Sequence, residues 1–157
     1  MRTRELELSM HGWISAFDKS KLPPRQGVYF VFGGNISDKK NSEGKATASI
    51  NHLIYIGQAE DIQHRLGTHE KQERFEKELN DGETILYYYI KVNEEAVDDC
   101  EGALIRHFKD MPIINSKCKE SFTSKYEKVH IVLIGKVPSR LKKDKDFIVE
   151  TNPVSNE

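Results

Sequence analysis

An α+β domain, with a small central antiparallel sheet of three strands plus a fourth candidate flanked by α-helices, is the fold class this sequence predicts. Three observations carry it. Apolar runs of strand length recur, stretches with helical apolar spacing separate them, and the two kinds follow one another as strand, strand, helix, strand, helix. The 157 residues suit one domain with short additions. They divide into an N-terminal extension over 1–24, a domain over 25–137 and a flexible C-terminal tail over 138–157.

In order along the chain, Met10, Trp13, Ile14 and Phe17 have the spacing of one face of a short helix that docks on the domain. Pro23-Pro24 interrupts the chain, and Gly27-Val28-Tyr29-Phe30-Val31-Phe32 reads as a buried strand ended by Gly33-Gly34. The polar stretch 34–51 is a surface loop or a polar hairpin. Leu53-Ile54-Tyr55-Ile56-Gly57 is a second short strand. A helix is expected from about residue 60 to 79, with Ile62/Leu66 and Phe75/Leu79 as apolar i, i+4 pairs and Asn80-Asp81-Gly82 as its stop. Residues 84–92 form an aromatic and β-branched third strand. Asn93 then caps a helix reaching Phe108, whose inner face is Val97, Cys100, Leu104 and Phe108. Residues 129–134 are the fourth strand candidate.

Composition excludes some classes and leaves others. No run of eighteen apolar residues occurs, so no membrane span is expected, and the first residues lack the apolar core of a signal peptide. Cys100 and Cys118 have no CxxC spacing, which favours reduced thiols in a cytoplasmic protein over a zinc knuckle or disulfide scaffold. Net charge is −1, unlike a pure nucleic-acid clamp, yet residues 117–145 hold nine basic against three acidic side chains and suit contact with phosphate or a solvated face.

The chemistry-bearing residues form an ordered train. Gly27-Val28-Tyr29 and Tyr55-Ile56-Gly57 lie on consecutive apolar runs. Arg65 follows Tyr55 by ten residues, His69 follows Arg65 by four, Glu101 falls in the next helix, and Asn115 comes just past Pro112. This train resembles the GIY-YIG nuclease family over about residues 27–115. The gap between Tyr29 and Tyr55 is longer than the family's short hairpin, so 34–51 reads as an insertion able to touch substrate.

The resemblance implies a divalent-metal-dependent endonuclease that hydrolyses DNA phosphodiester bonds. Glu101 is then the ligand of Mg²⁺ or Mn²⁺, because a hard ion that keeps its water shell needs only one carboxylate. Arg65 clamps phosphate with its planar fork, and His69 relays a proton or holds the phosphate. Tyr29 is the candidate base, Tyr55 positions water or phosphate, and Asn115 ties the loop after the helix to the site. Taken one at a time, the same residues also read as an exposed helix Glu, a surface Arg and His, and core tyrosines. His64 is set aside, being displaced by about 100° from Arg65 around a helix. Lys71, Arg74 and Lys77 continue basic character along that helix and either track a DNA backbone or belong to a solvated face. The implied partner is DNA, with a homodimer if both strands are cut. A non-catalytic nucleic-acid- or partner-binding module on the same scaffold is the alternative.

Overall fold

The structure, a computed structural model, describes residues 2–153. Its centre is a six-stranded sheet, larger than the three or four strands expected, with the order β3-β2-β4-β1-β6-β7. The strands are β1 (Thr3–Ser15), β2 (Gly27–Lys40), β3 (Ala46–Ala59), β4 (Thr84–Lys91), β6 (Lys128–Gly135) and β7 (Asp146–Glu150). Neighbours run antiparallel except β1 and β6, which are parallel. The helices are α1 (Ile62–Leu66), α2 (His69–Glu76) and α3 (Glu94–His107). A two-residue parallel pair, β5 (Thr123–Ser124) with β8 (Asn152–Pro153), completes the elements together with two 3-10 turns. No helix among the described residues is long and apolar enough to cross a membrane.

The two extra strands correct two expectations. The N-terminal stretch is a strand where a docking helix was expected. Leu6, Leu8 and Met10 alternate with Glu5, Glu7 and Ser9, and β1 pairs β4 on one side and β6 on the other. Cross-strand pairing on both edges overrides the helical spacing of Met10, Trp13, Ile14 and Phe17. Met10 is buried in the core, whereas Phe17 is 84% exposed. At the other end, the stretch expected as a tail forms a 3-10 turn at Ser139–Asp144 that buries Leu141, then β7 with Phe147 and Val149 turned into the core.

Two further boundaries shift. Gly33-Gly34 does not end β2, and the polar stretch 34–51 takes the hairpin form, extending β2 and β3 past the end of β4. The helix expected over 60–79 is two short helices. Thr68 is extended (φ −82°, ψ 134°), which breaks the ladder after Gly67. The aromatic strand and α3 fall where the sequence places them, and the Asn93 side chain accepts from the Ala96 amide as the cap.

Both faces of β2 are covered, which explains its continuous apolar run. Phe30, Phe32, Leu53, Ile56 and Ile90 pack against Val97, Cys100 and Leu104 of α3. On the opposite side Tyr29, Val31, Ile54 and Tyr87 pack against Ile62 and Leu66 of α1 and Phe75 of α2. Since β3 is the edge strand, elements on the two faces can meet around it. The residues singled out in the sequence gather there.

Candidate active site

Tyr29 sits directly across from Gly57 in the β2–β3 register. Tyr55 precedes Gly57 by two and shares its side of the strand. A Cβ on Gly57 would stand 2.5 Å from Cζ and Oη of Tyr29 and 2.8 Å from Cε2 of Tyr55. Only glycine at this position lets both rings lie over the strand, and their centroids are 6.1 Å apart. Tyr29 is fully buried. Burial first, with Tyr55, Glu101 and Tyr87 adding to it, pushes its phenol well above the ordinary tyrosine range, while Arg65 pulls the other way.

A cleft of about 580 Å³ opens beside this pair, lined by Tyr55, Gln58, Ala59, Glu60, Asp61, His64, Arg65, Lys71, Glu101 and Lys117. Edge strand β3 forms its floor, α1 and α2 one wall, and α3 with residue 117 the other. The α1 turn is fixed by Asp61, whose side chain accepts from the His64 amide at 3.0 Å. Arg65, near the end of α1, is exposed and makes no ion pair among the described residues.

Glu101 is 4% exposed, with its carboxylate at the cleft wall. Its Oε1 accepts from Gln58 Nε2 at 3.1 Å and lies 3.5 Å from Lys117 Nζ. Both polar contacts of the carboxylate among the described residues fall on that one oxygen. The other oxygen has no protein donor among the described residues and is left open to the cleft. No group of three or more His, Cys, Asp or Glu side chains able to hold a metal ion occurs among the described residues. The cleft's carboxylates, Glu60, Asp61 and Glu101, do not gather into such a group, so an ion there would have few protein ligands in an open, polar cleft. That fits a Mg²⁺-like ion bound mostly through water and does not fit a closed cage for zinc or calcium.

Asn115 stands behind this wall and closes the outer edge of β3. Its Nδ2 donates to Ile56 O at 2.7 Å, and its Oδ1 accepts from Ile56 N at 3.1 Å. Ile114 N adds a third bond to Ile54 O at 2.9 Å. The segment after α3 thus mimics a further strand at an otherwise unpaired edge, and holds the peptide next to Gly57.

The fold brings Tyr29, Tyr55, Arg65 and Glu101 to one place, with Asn115 directly behind. His69 opens α2, across the break from Arg65, so the two do not continue one helix face; the side chain of His69 lies outside what the structure describes. His64, set aside on helical angle, lines the cleft beside Arg65. In a helix of five residues at a cleft mouth, consecutive side chains can both border the opening. Gln58 and Lys117 were not singled out as site residues. Gln58 had one signal, its place immediately after Gly57; Lys117 had none beyond belonging to a basic stretch.

Residues 46–115 match the family model of the GIY-YIG catalytic domain, which bears out the resemblance carried by the sequence. The matched segment holds Tyr55, Arg65, His69, Glu101 and Asn115 and begins after the part of β2 that carries Tyr29. No curated protein and no solved structure matches the chain.

Proposed function

We propose that this chain, with its GIY-YIG catalytic domain match, is a divalent-metal-dependent endonuclease that hydrolyses DNA phosphodiester bonds in the cleft beside β3. The observation that carries the reading is that one polar cleft is lined both by a carboxylate with protein contacts on one oxygen, Glu101, and by a guanidinium with no ion pair among the described residues, Arg65. A phosphodiester needs both signs there: a cationic fork for its non-bridging oxygens, and a negative anchor for a charge-neutralising ion.

Glu101 would hold Mg²⁺ or Mn²⁺ through the oxygen left without a protein donor. Such an ion supplies charge neutralisation at the five-coordinate phosphorus and at the departing 3′ oxygen. Gln58 and Lys117 hold the carboxylate in place. Arg65 grips the scissile phosphate. Tyr29, its proton held by burial, fixes the attacking water through its hydroxyl, and Arg65 is the chain's own group that lowers the barrier to ionising that phenol. Tyr55 lines the cleft and sets the phosphate against Tyr29. His69 is assigned as a proton relay or phosphate ligand. Asn115 positions the strand and touches no reacting atom.

Supercoiled plasmid, incubated with the native chain and with Glu101→Gln in Mg²⁺, Mn²⁺ or chelator, tests the reading. Nicking that needs the ion and falls by about 100-fold or more in the folded variant is the expected outcome. Metal-independent DNA binding without nicking of any DNA form would favour a binding module instead. The homodimer expected for two-strand cutting gains no support from the fold.

A further inference from the structure

The cleft does not end at the residues assigned to the scissile phosphate. Beyond Arg65 a second hollow of about 280 Å³ continues along α2, lined by Arg65, Thr68, Glu70, Lys71 and Arg74. Arg65 and Lys71 border both hollows, whereas Arg74 lines only the outer one. Lys71 and Arg74 are three residues apart on α2, so they share a helix face. Both heads lie over the Tyr55 ring, with Lys71 Nζ 5.6 Å and Arg74 Cζ 5.8 Å from its centroid. Arg74 Nη2 is further steadied by Ile114 O at 3.4 Å.

Neither cation forms an ion pair with a carboxylate among the described residues. Burial and then the charges of Arg65, Arg74 and Lys117 hold the Lys71 ammonium below the ordinary lysine range, with Glu70 opposing. Like charges gathered over one aromatic ring repel one another until an anion joins them. Lys77 lies past the end of α2 and borders neither hollow.

We infer that Lys71 and Arg74 form a second phosphate subsite, which holds the backbone phosphate next to the scissile one gripped by Arg65. The inference rests on the phosphodiesterase reading of the same cleft. It narrows the substrate to a strand with a charged phosphate on the α2 side of the cut bond. The Tyr55 ring, under both cations, then links the two subsites: its edge meets the reacting phosphate and its face carries the groups that hold the neighbour.

The test uses full-length Glu101→Gln as the parent, so that DNA is bound and not cut. Its affinity for a duplex oligonucleotide is followed by fluorescence anisotropy over a range of NaCl concentrations. Each phosphate neutralised contributes about 0.9 to the slope of log K against log salt. Adding Lys71→Ala and Arg74→Ala together should reduce the slope by about 0.9, the contribution of one phosphate. Lys71→Arg with Arg74→Lys should retain the parent slope, and so should Lys77→Ala. A double-alanine variant that binds with the parent's slope overturns the subsite and leaves the nuclease reading standing. A parent that shows no salt-dependent affinity for duplex or single-stranded DNA overturns both.

Discussion

Two glutamates with buried side chains answer the same physical problem in opposite ways. The Glu83 side chain is 4% exposed and that of Glu101 6%. Glu83 has both oxygens met by the protein. Oε1 receives the Asn80 amide at 2.7 Å and His52 Nε2 at 2.9 Å, and Oε2 receives Asn51 Nδ2 at 2.8 Å. Burial would raise its pKa, but these hydrogen bonds outweigh it and hold the carboxyl below its ordinary value. Glu101 has its protein contacts on one oxygen only. Glu83 therefore fastens the β2–β3 hairpin to the turn before β4. Glu101 leaves bonding capacity facing a cleft, and the metal-anchor role proposed for it rests on that difference.

The largest effect that sharpens this contrast is a crossing of activity and stability. Glu101→Gln should lower metal-dependent nicking by about 100-fold or more while leaving the melting temperature unchanged or raised, since it removes a buried charge. Glu83→Gln should leave nicking within about twofold of native and cost about 2 kcal/mol, or about 4–8 °C in Tm, because its amide would turn a donor toward Asn51. Calorimetry and plasmid nicking on the two variants read this directly.

Gly57→Ala comes next. The added methyl collides with the Tyr29 and Tyr55 rings, which are anchored in a packed core, so overpacking should cost about 1–3 kcal/mol. Displacing the tyrosines should lower nicking by about tenfold at temperatures where the variant is folded, since reacting groups displaced by a fraction of an ångström lose alignment. Urea unfolding and single-turnover cleavage separate the two effects. Native-like cleavage in a well-folded Gly57→Ala protein would detach the tyrosine pair from the chemistry.

A smaller effect is confined to acid. Glu83 titrates below its ordinary 4.5 in the folded chain, so its stabilisation is fully present above about 4.5 and is lost as pH falls through the depressed value. The gap in Tm between the native chain and Glu83→Gln should thus shrink as pH falls below about 4.5. A gap that fails to shrink below about 4.5 would mean the network does not favour the ionised form.

Much of the candidate site was legible because its residues follow one another along the chain in an order that resembles that of a known family. Tyr29, Tyr55, Arg65 and Glu101 were singled out from the sequence, and the fold gathers them around edge strand β3. What sequence reading missed depends on pairing between distant segments. Leu6, Leu8 and Met10 carry a period of two, but the nearby helical spacing of Met10, Trp13, Ile14 and Phe17 competes with it, and only the partners β4 and β6 decide the outcome. Phe147-Ile148-Val149 is too short a signal to mark β7 without β6 beside it. Gln58 and Lys117 reach Glu101 from 43 and 16 residues away respectively, contacts that no local pattern announces. The break at Thr68 likewise undid an apparent 60–79 helix: the pair Ile62/Leu66 stays within α1, whereas Phe75/Leu79 runs past the end of α2 at Glu76.

The most direct test of the central claim is Mn²⁺ binding in the presence of duplex DNA, followed by electron paramagnetic resonance in the native chain, Glu101→Gln and Glu83→Gln. The account predicts bound Mn²⁺ in the native chain and in Glu83→Gln, and its loss in a folded Glu101→Gln. Undiminished Mn²⁺ binding in Glu101→Gln would contradict it, because the half-satisfied carboxylate would then not be the anchor of the ion.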